Sequence, residues 1–327
     1  MLKILEFISA KYAQAIIILF ILFYLILGVG LHGDDYSSIL SIQHGSLTDF
    51  ISLNSDKFQI FGILNYYLIW WAYYVFGHEY QVAYDIIKIA IHAVSIYLVF
   101  IFFKDYFSKD RAILASVVFI MYPLHDTTMY WYMTLFYIIT PAIILFAHSL
   151  LRNDRTMLAI FFLVLGSMWH YSSPPYIFGL SVIFLFEKNF KKAIIFVTPG
   201  VLYVAYYFWI KLHYVGVERR IDSDLSILDF LKQMLMQPLS LLEAAIGPSY
   251  WLKVFYAIES ISFFSIIIVA LISILAFIKI GSFSKVPKTS KSLYIGLISV
   301  LILSFSMYAL TGLYSHSAFN LGNRSTV

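Results

Sequence analysis

Ala15–Tyr36 reads AIIILFILFYLILGVGLHGDDY: an apolar run that ends on two adjacent aspartates, Asp34 and Asp35. The run is long enough to cross a bilayer, which takes about 20 residues. No small-x-small cleavage site follows it, so it reads as a retained anchor and not a signal peptide. Two carboxylates next to a low-dielectric slab repel each other and lose solvation. They are tolerated there if they are solvated, cap a helix or do chemistry.

Composition sets the class. The chain of 327 residues is 61% hydrophobic and 19% aromatic, with 12% charged residues, and its mean hydropathy is +0.84. A soluble domain of this size needs more polar surface. The reading is an all-α, multi-pass membrane protein. With no cysteine, disulfides, thiolate metal sites and cysteine nucleophiles are excluded. A net charge of +4 belongs to short basic loops and gives no reason to expect nucleic acid.

Nine apolar segments follow in order: Tyr12–Leu31, Tyr80–Phe103, Ala112–Leu124, Thr127–Leu151, Met157–His170, Tyr176–Phe186, Ala193–Ile210, Val254–Ile280 and Leu293–Tyr314. Several fall short of a free-standing span but can be held inside a bundle. Phe58–Phe76 is dense in Trp and Tyr, which favour the headgroup level. Laid flat as an interfacial helix, it leaves 14 of the 22 basic residues in cytoplasmic loops. Letting it span lowers that number, so the flat reading is preferred. The expected domain is a single transmembrane unit over 1–327, N-terminus cytoplasmic, with outer loops at 32–79 and 211–253. The polar stub 322–327 after the last apolar run reads equally as a short natural C-terminus or an interrupted chain.

The candidate chemistry sits on the outer side. Asp35, and then Asp34, are candidates for a general base; the competing role is an N-cap for a helix over Tyr36–Gln43. Asp126 follows His125 at the end of a short segment, where it serves as a second acid or as a cap. Asp34, Asp35, Asp126 and His125 are also donors that Mg²⁺ or Mn²⁺ would accept. No spaced Asp-x-Asp element accompanies them, so metal use stays open. Lys88 and His92 lie one turn apart on one face of the second span. A lysine there pairs with Asp85, snorkels, or meets an anion such as a phosphate. Arg219 and Arg220 form a second phosphate candidate, or a solvated pair beside Glu218 and Asp222. His170 ends the fifth segment beside Tyr171 and is a candidate cavity residue.

These motifs, in this order, resemble the GT-C glycosyltransferases, and most closely the protein O-mannosyltransferases of the tetratricopeptide-repeat subgroup. The residues that carry the resemblance are Asp34-Asp35, Asn65-Tyr66, Phe76-Gly77, Tyr84 with Lys88 and His92, and Tyr122-Pro123-Leu124-His125 with Trp131. It covers roughly residues 15–190. Lys88 stands where the subgroup has Asn, Tyr122 where it has His, and no repeats follow. The resemblance implies a GT-C-like bundle, an outward-facing site, and a hexose donor carried on undecaprenyl or dolichyl phosphate. The acceptor would be a glycan, lipid or protein outside the membrane, here expected to be the bacterial cytoplasmic membrane. Two other classes stay open on the residues alone: a lipid or glycan flippase, and a non-catalytic membrane assembly subunit.

Overall fold

A computed structural model describes residues 11–33, 35–37, 39, 46, 63–121, 126–213, 225–260, 262–270 and 290–310. Among these residues every regular element is helical. In chain order they are α1 (Lys11–Ile26), α2 (Ile63–Phe76), α3 (Gln81–Lys104), α4 (Lys109–Ile120) and α5 (Asp126–Tyr130), followed by a 3₁₀ turn (Tyr132–Thr134). Then come α6 (Phe136–Arg152), α7 (Thr156–Trp169), α8 (Ser173–Phe186), α9 (Phe190–His213), α10 (Ile227–Ile246), α11 (Pro248–Ser260) and α12 (Lys291–Ala309).

Four stretches are long and apolar enough to cross a membrane: Gln81–Lys104, Tyr132–Arg152, Phe190–Trp209 and Lys291–Ala309. Large apolar side chains point away from the protein along their flanks, among them Val82, Tyr97, Ile194, Leu202 and Ile298. Lipid is the solvent that such a surface suits. Helices α7 and α8 have 14 residues each, about 21 Å at 1.5 Å per residue, and are held by neighbours. The expected span Thr127–Leu151 is not one helix. It breaks into α5, the 3₁₀ turn and α6, for a reason given below.

Helix α6 is the central post, buried on nearly all sides from Phe136 to Leu151. Pro141 sits inside it, where its missing N–H is tolerated because neighbouring helices enclose the site. Helices α8 and α12 approach most closely at Gly179. A Cβ there would stand 2.5 Å from the backbone N of Val300, and one at Gly296 would meet Ile183. Small residues let the two backbones come this near.

One end of the bundle is tied by a polar network. Arg152 donates to both carboxylate oxygens of Glu187 at 2.9 Å and lies 4.7 Å above the Tyr106 ring. Ser292 of α12 donates to the same Glu187 at 2.8 Å. Asp105 accepts from Ser149 at 2.6 Å, and Lys192 pairs with Asp154 at 2.7 Å. The ends of α3, α6, α8, α9 and α12 are thereby joined. Just inside, the His148 ring stacks on Phe184 and meets Phe102 and Phe196 edge-on. We call this the Arg152 end, and the opposite one the Asp35 end.

The segment expected as an outer loop, 211–253, holds all of α10 and the first six residues of α11. Ser226 caps α10, accepting from the Asp229 N–H at 3.1 Å, and Gly247-Pro248 separates α10 from α11. The Gln237 amide reaches α12. Oriented by its partners, it donates to Phe305 O at 3.1 Å and accepts from Ala309 N at 3.0 Å. Within the expected span Val254–Ile280, residues 254–260 belong to α11 and 263–270 are helical, while 261 and 271–280 lie outside the described residues.

Candidate functional site

Asp35 is fully buried. Its Oδ2 accepts from the backbone N–H of His32 at 3.0 Å and of Tyr132 at 3.1 Å. Its Oδ1 accepts from Met133 N–H at 3.0 Å and from the Tyr73 hydroxyl at 3.0 Å. Burial, with the carboxylate beside it, pushes the Tyr73 phenol well above its ordinary value, so it stays protonated and donates. A carboxylate has about four lone-pair sites, and here four donors fill them. The bond to His32 closes a local turn through Gly33, whose φ is +51°. The bonds to Tyr132 and Met133 cap the 3₁₀ turn from 97 and 98 residues away. They satisfy N–H groups that a helix running straight from Thr127 to Leu151 would spend on its own carbonyls. This is why the apolar segment breaks.

The glycines around Asp35 are required by the approach of other chains. Gly33 has φ +51°, and a Cβ there would touch the Trp131 ring at 3.0 Å. Gly30 has φ +67° and faces Gln81, whose Oε1 accepts from Leu31 N–H at 2.7 Å.

Lys88 and Asp85, on one face of α3, form a fully buried pair at 2.9 Å. Asp85 also accepts from Gly28 and Gly30 N–H, each at 2.8 Å. The Lys88 ammonium donates to Gly30 O at 2.5 Å and to Tyr130 O at 3.0 Å. An ammonium has three protons, and these three acceptors use them. Of the sequence alternatives for Lys88, the pairing with Asp85 is the one observed. The phosphate role has no proton left to serve it in this arrangement. The ring nitrogen Nδ1 of His92 lies 2.8 Å from Lys88 O, inside the same helix. His92 is fully buried.

Around these charges lies an aromatic core. Tyr84 meets Tyr132 edge-on at 5.0 Å and Phe76 at 5.9 Å, and Tyr73 packs on both tyrosines. The Tyr84 hydroxyl donates to Gly77 O at 2.7 Å, pinning the turn between α2 and α3. The motif fragments at Asp35, α2, the Phe76-Gly77 turn, Tyr84–Lys88 and Trp131 thus converge on one place.

A separate cavity of about 460 Å³ opens between α3, α4, α6, α8, α10 and α12. His170 is not among its lining residues but contacts two of them. The His170 Nδ1 lies 2.8 Å from Ser172 Oγ, and its ring packs 4.3 Å from Tyr137. Ser172 and Tyr137 are the lining residues. The Tyr137 hydroxyl is hydrogen-bonded to that of Tyr171.

Asp34, His125, Arg219 and Arg220 lie outside the described residues, as does the side chain of Asp126, whose backbone opens α5. Among the described residues no three His, Asp or Glu side chains gather as metal ligands. The residues that sequence reasoning missed are Tyr73, Tyr132 and the anchoring role of Asp85. Only the i,i+3 spacing of Asp85 and Lys88 signalled its part. No protein-family model matches the chain, and no curated protein or solved structure matches it either.

Proposed function

We propose that this protein is a membrane glycosyltransferase of GT-C type that moves a hexose from a polyprenyl-phosphate carrier to an acceptor at the Asp35 end. A nine-span bundle with α2 lying at the outer interface, and the N-terminus on the cytoplasmic side, belongs to the same proposal. One observation carries it. The motif residues Asp35, Phe76-Gly77, Tyr84 and Trp131 meet in one place: Asp35 bonds Tyr73 and Tyr132, Tyr84 packs on both and on Phe76 while bonding Gly77, and Trp131 packs on Gly33.

Within that reading the two aspartates divide the labour. Asp35 has its acceptor sites filled and anchors the loop. Asp34, its neighbour, is left as the general base that takes the acceptor proton. With Lys88 engaged in its pair, Arg219 and Arg220 are the remaining candidates for the leaving phosphate. Asp126 and His125 stand as further acid and cavity candidates, and a Mg²⁺ or Mn²⁺ ion as an optional aid.

The test is transfer or hydrolysis of a polyprenyl-phosphate-linked hexose by the purified protein in nanodiscs. Asp34→Asn should lower turnover by about 10²–10⁴, the usual contribution of a general base, with the fold intact. A second reading, a non-catalytic membrane subunit, draws on the fact that the described carboxylates near the loop are fully engaged. Absence of transfer, hydrolysis and donor binding alike would favour it and end the enzyme proposal.

A further inference from the structure

The 460 Å³ cavity lies within the roughly 300–1,000 Å³ range of small-molecule sites. Its walls have a direction. On α6 the lining residues Tyr137, Pro141 and Leu145 succeed one another at four-residue steps, from the Asp35 end inward. On α8, Ser172, Tyr176 and Leu180 do the same. Helix α12 runs the opposite way, since Ser292 bonds Glu187 at the Arg152 end, and it presents Leu297, Val300, Ser304 and Tyr308 in that order. All three helices therefore offer hydroxyls at the Asp35 end and hydrocarbon about 12 Å deeper, eight residues along a helix.

The described lining residues carry hydroxyls and no charge. An uncharged wall this far inside a bundle cannot compensate a phosphate, whose transfer out of water is costly without a paired cation. A hydroxyl or ester head meets partners there, and a chain meets the apolar floor. The rim is organised by the residues behind it. His170 holds Ser172, and Tyr171 holds the Tyr137 hydroxyl.

We propose that this cavity binds an uncharged, hydroxyl-headed lipid, with its head at Tyr137 and Ser172 and its chain running toward Leu145 and Leu180. The site is distinct from the Asp35 centre, and its occupancy is measured without turnover, so the outcome does not depend on the transferase reading.

The experiment is photolabelling of the full-length protein in nanodiscs with three diazirine probes sharing one chain: the long-chain alcohol, its monoglyceride and its monophosphate ester. Peptide mapping should place the alcohol or monoglyceride label on α6, α8 and α12, and comparison of the two tells a free alcohol from a glyceride source. Cavity-filling variants at opposite ends, Leu297→Trp and Ser304→Trp, should each cut that labelling by about tenfold, equivalent to a tenfold loss of affinity. Met157→Trp, on the exposed face of α7, should leave it unchanged. Two filling variants guard against one failing to fold, which size-exclusion elution reports. Equal or stronger labelling by the phosphate ester would overturn the uncharged class. Labelling that both filled variants retain would overturn the site.

Discussion

Lys88→Met tests whether the buried pair on α3 is structural. Methionine keeps the apolar stem and removes the ammonium. Asp85 would then remain buried with two backbone N–H donors at 2.8 Å and no cation. Removing one partner of a buried pair costs about 3–5 kcal/mol. Asp85→Asn makes the reverse defect, leaving the ammonium with two carbonyls, and should cost about as much. The double variant carries neither charge. It loses the two Lys88 bonds to Gly30 O and Tyr130 O, and one of the two glycine N–H bonds, because an amide NH₂ cannot accept. At about 1 kcal/mol per hydrogen bond, the double variant should lie about 3 kcal/mol below wild type. It should therefore be no less stable than either single variant, although additivity would put it at about 6–10 kcal/mol. The measurement is SDS titration in mixed micelles, followed by the fluorescence of the six tryptophans. Additive losses, or a Lys88→Met protein as stable as wild type, would refute the pairing argument. In the folded fraction, affinity for a polyprenyl-phosphate analogue should be unchanged by Lys88→Met, since the lysine is already engaged.

Three further outcomes follow from the geometry. Asp35→Asn and Tyr73→Phe, which each disturb hydrogen bonds to a charged carboxylate, should each destabilise by roughly 1.5–3 kcal/mol; the same titration reads both, and a neutral Asp35→Asn would contradict the anchoring role. Gly179→Ala places a methyl 2.5 Å from the Val300 backbone, which cannot swing aside, so a loss of about 1–3 kcal/mol is expected, seen as earlier aggregation on heating and absent if the helices separate freely. Burial pushes the Tyr106 phenol up, so above about pH 10, where an unfolded tyrosine ionises, the unfolded state gives up its proton first and stability falls as pH rises; Tyr106→Phe should flatten that alkaline decline.

Much of the bundle is legible in the sequence because the bilayer demands long apolar runs. Tyr80–Phe103 was expected and Gln81–Lys104 is observed, since the run stops at Lys104-Asp105 and starts after Gly77. The break at Trp131–Leu135 is not legible. Its N–H groups are satisfied by Asp35, a residue about a hundred positions earlier, and no glycine or proline marks it. Helices α10 and α11 hid for a different reason. Leu228, Leu231, Leu235, Leu239, Leu242 and Ile246 form an exposed stripe at helical spacing, but Asp229, Lys232, Glu243 and Gly247-Pro248 made the segment read as polar loop. At the site, the sequence pointed to Asp35 and Lys88 as residues of consequence. It could not say that both would be saturated largely by backbone groups, because local sequence does not reveal which distant N–H and C=O groups fold against a side chain.

The two buried acids also differ in when their partners come to exist. Asp85 and Lys88 share one helical turn, so they can enter the bilayer together as a nearly neutral unit the moment α3 leaves the ribosome. Asp35 has no such companion. Its donors at Tyr132 and Met133 are synthesised 97 and 98 residues later, roughly 5–20 s at ordinary elongation rates. Throughout that interval the charge has to stay in water. A first loop whose sequence carries a second, adjacent aspartate is suited to the wait, and the final locking of the Asp35 end is deferred until the 3₁₀ turn has been made.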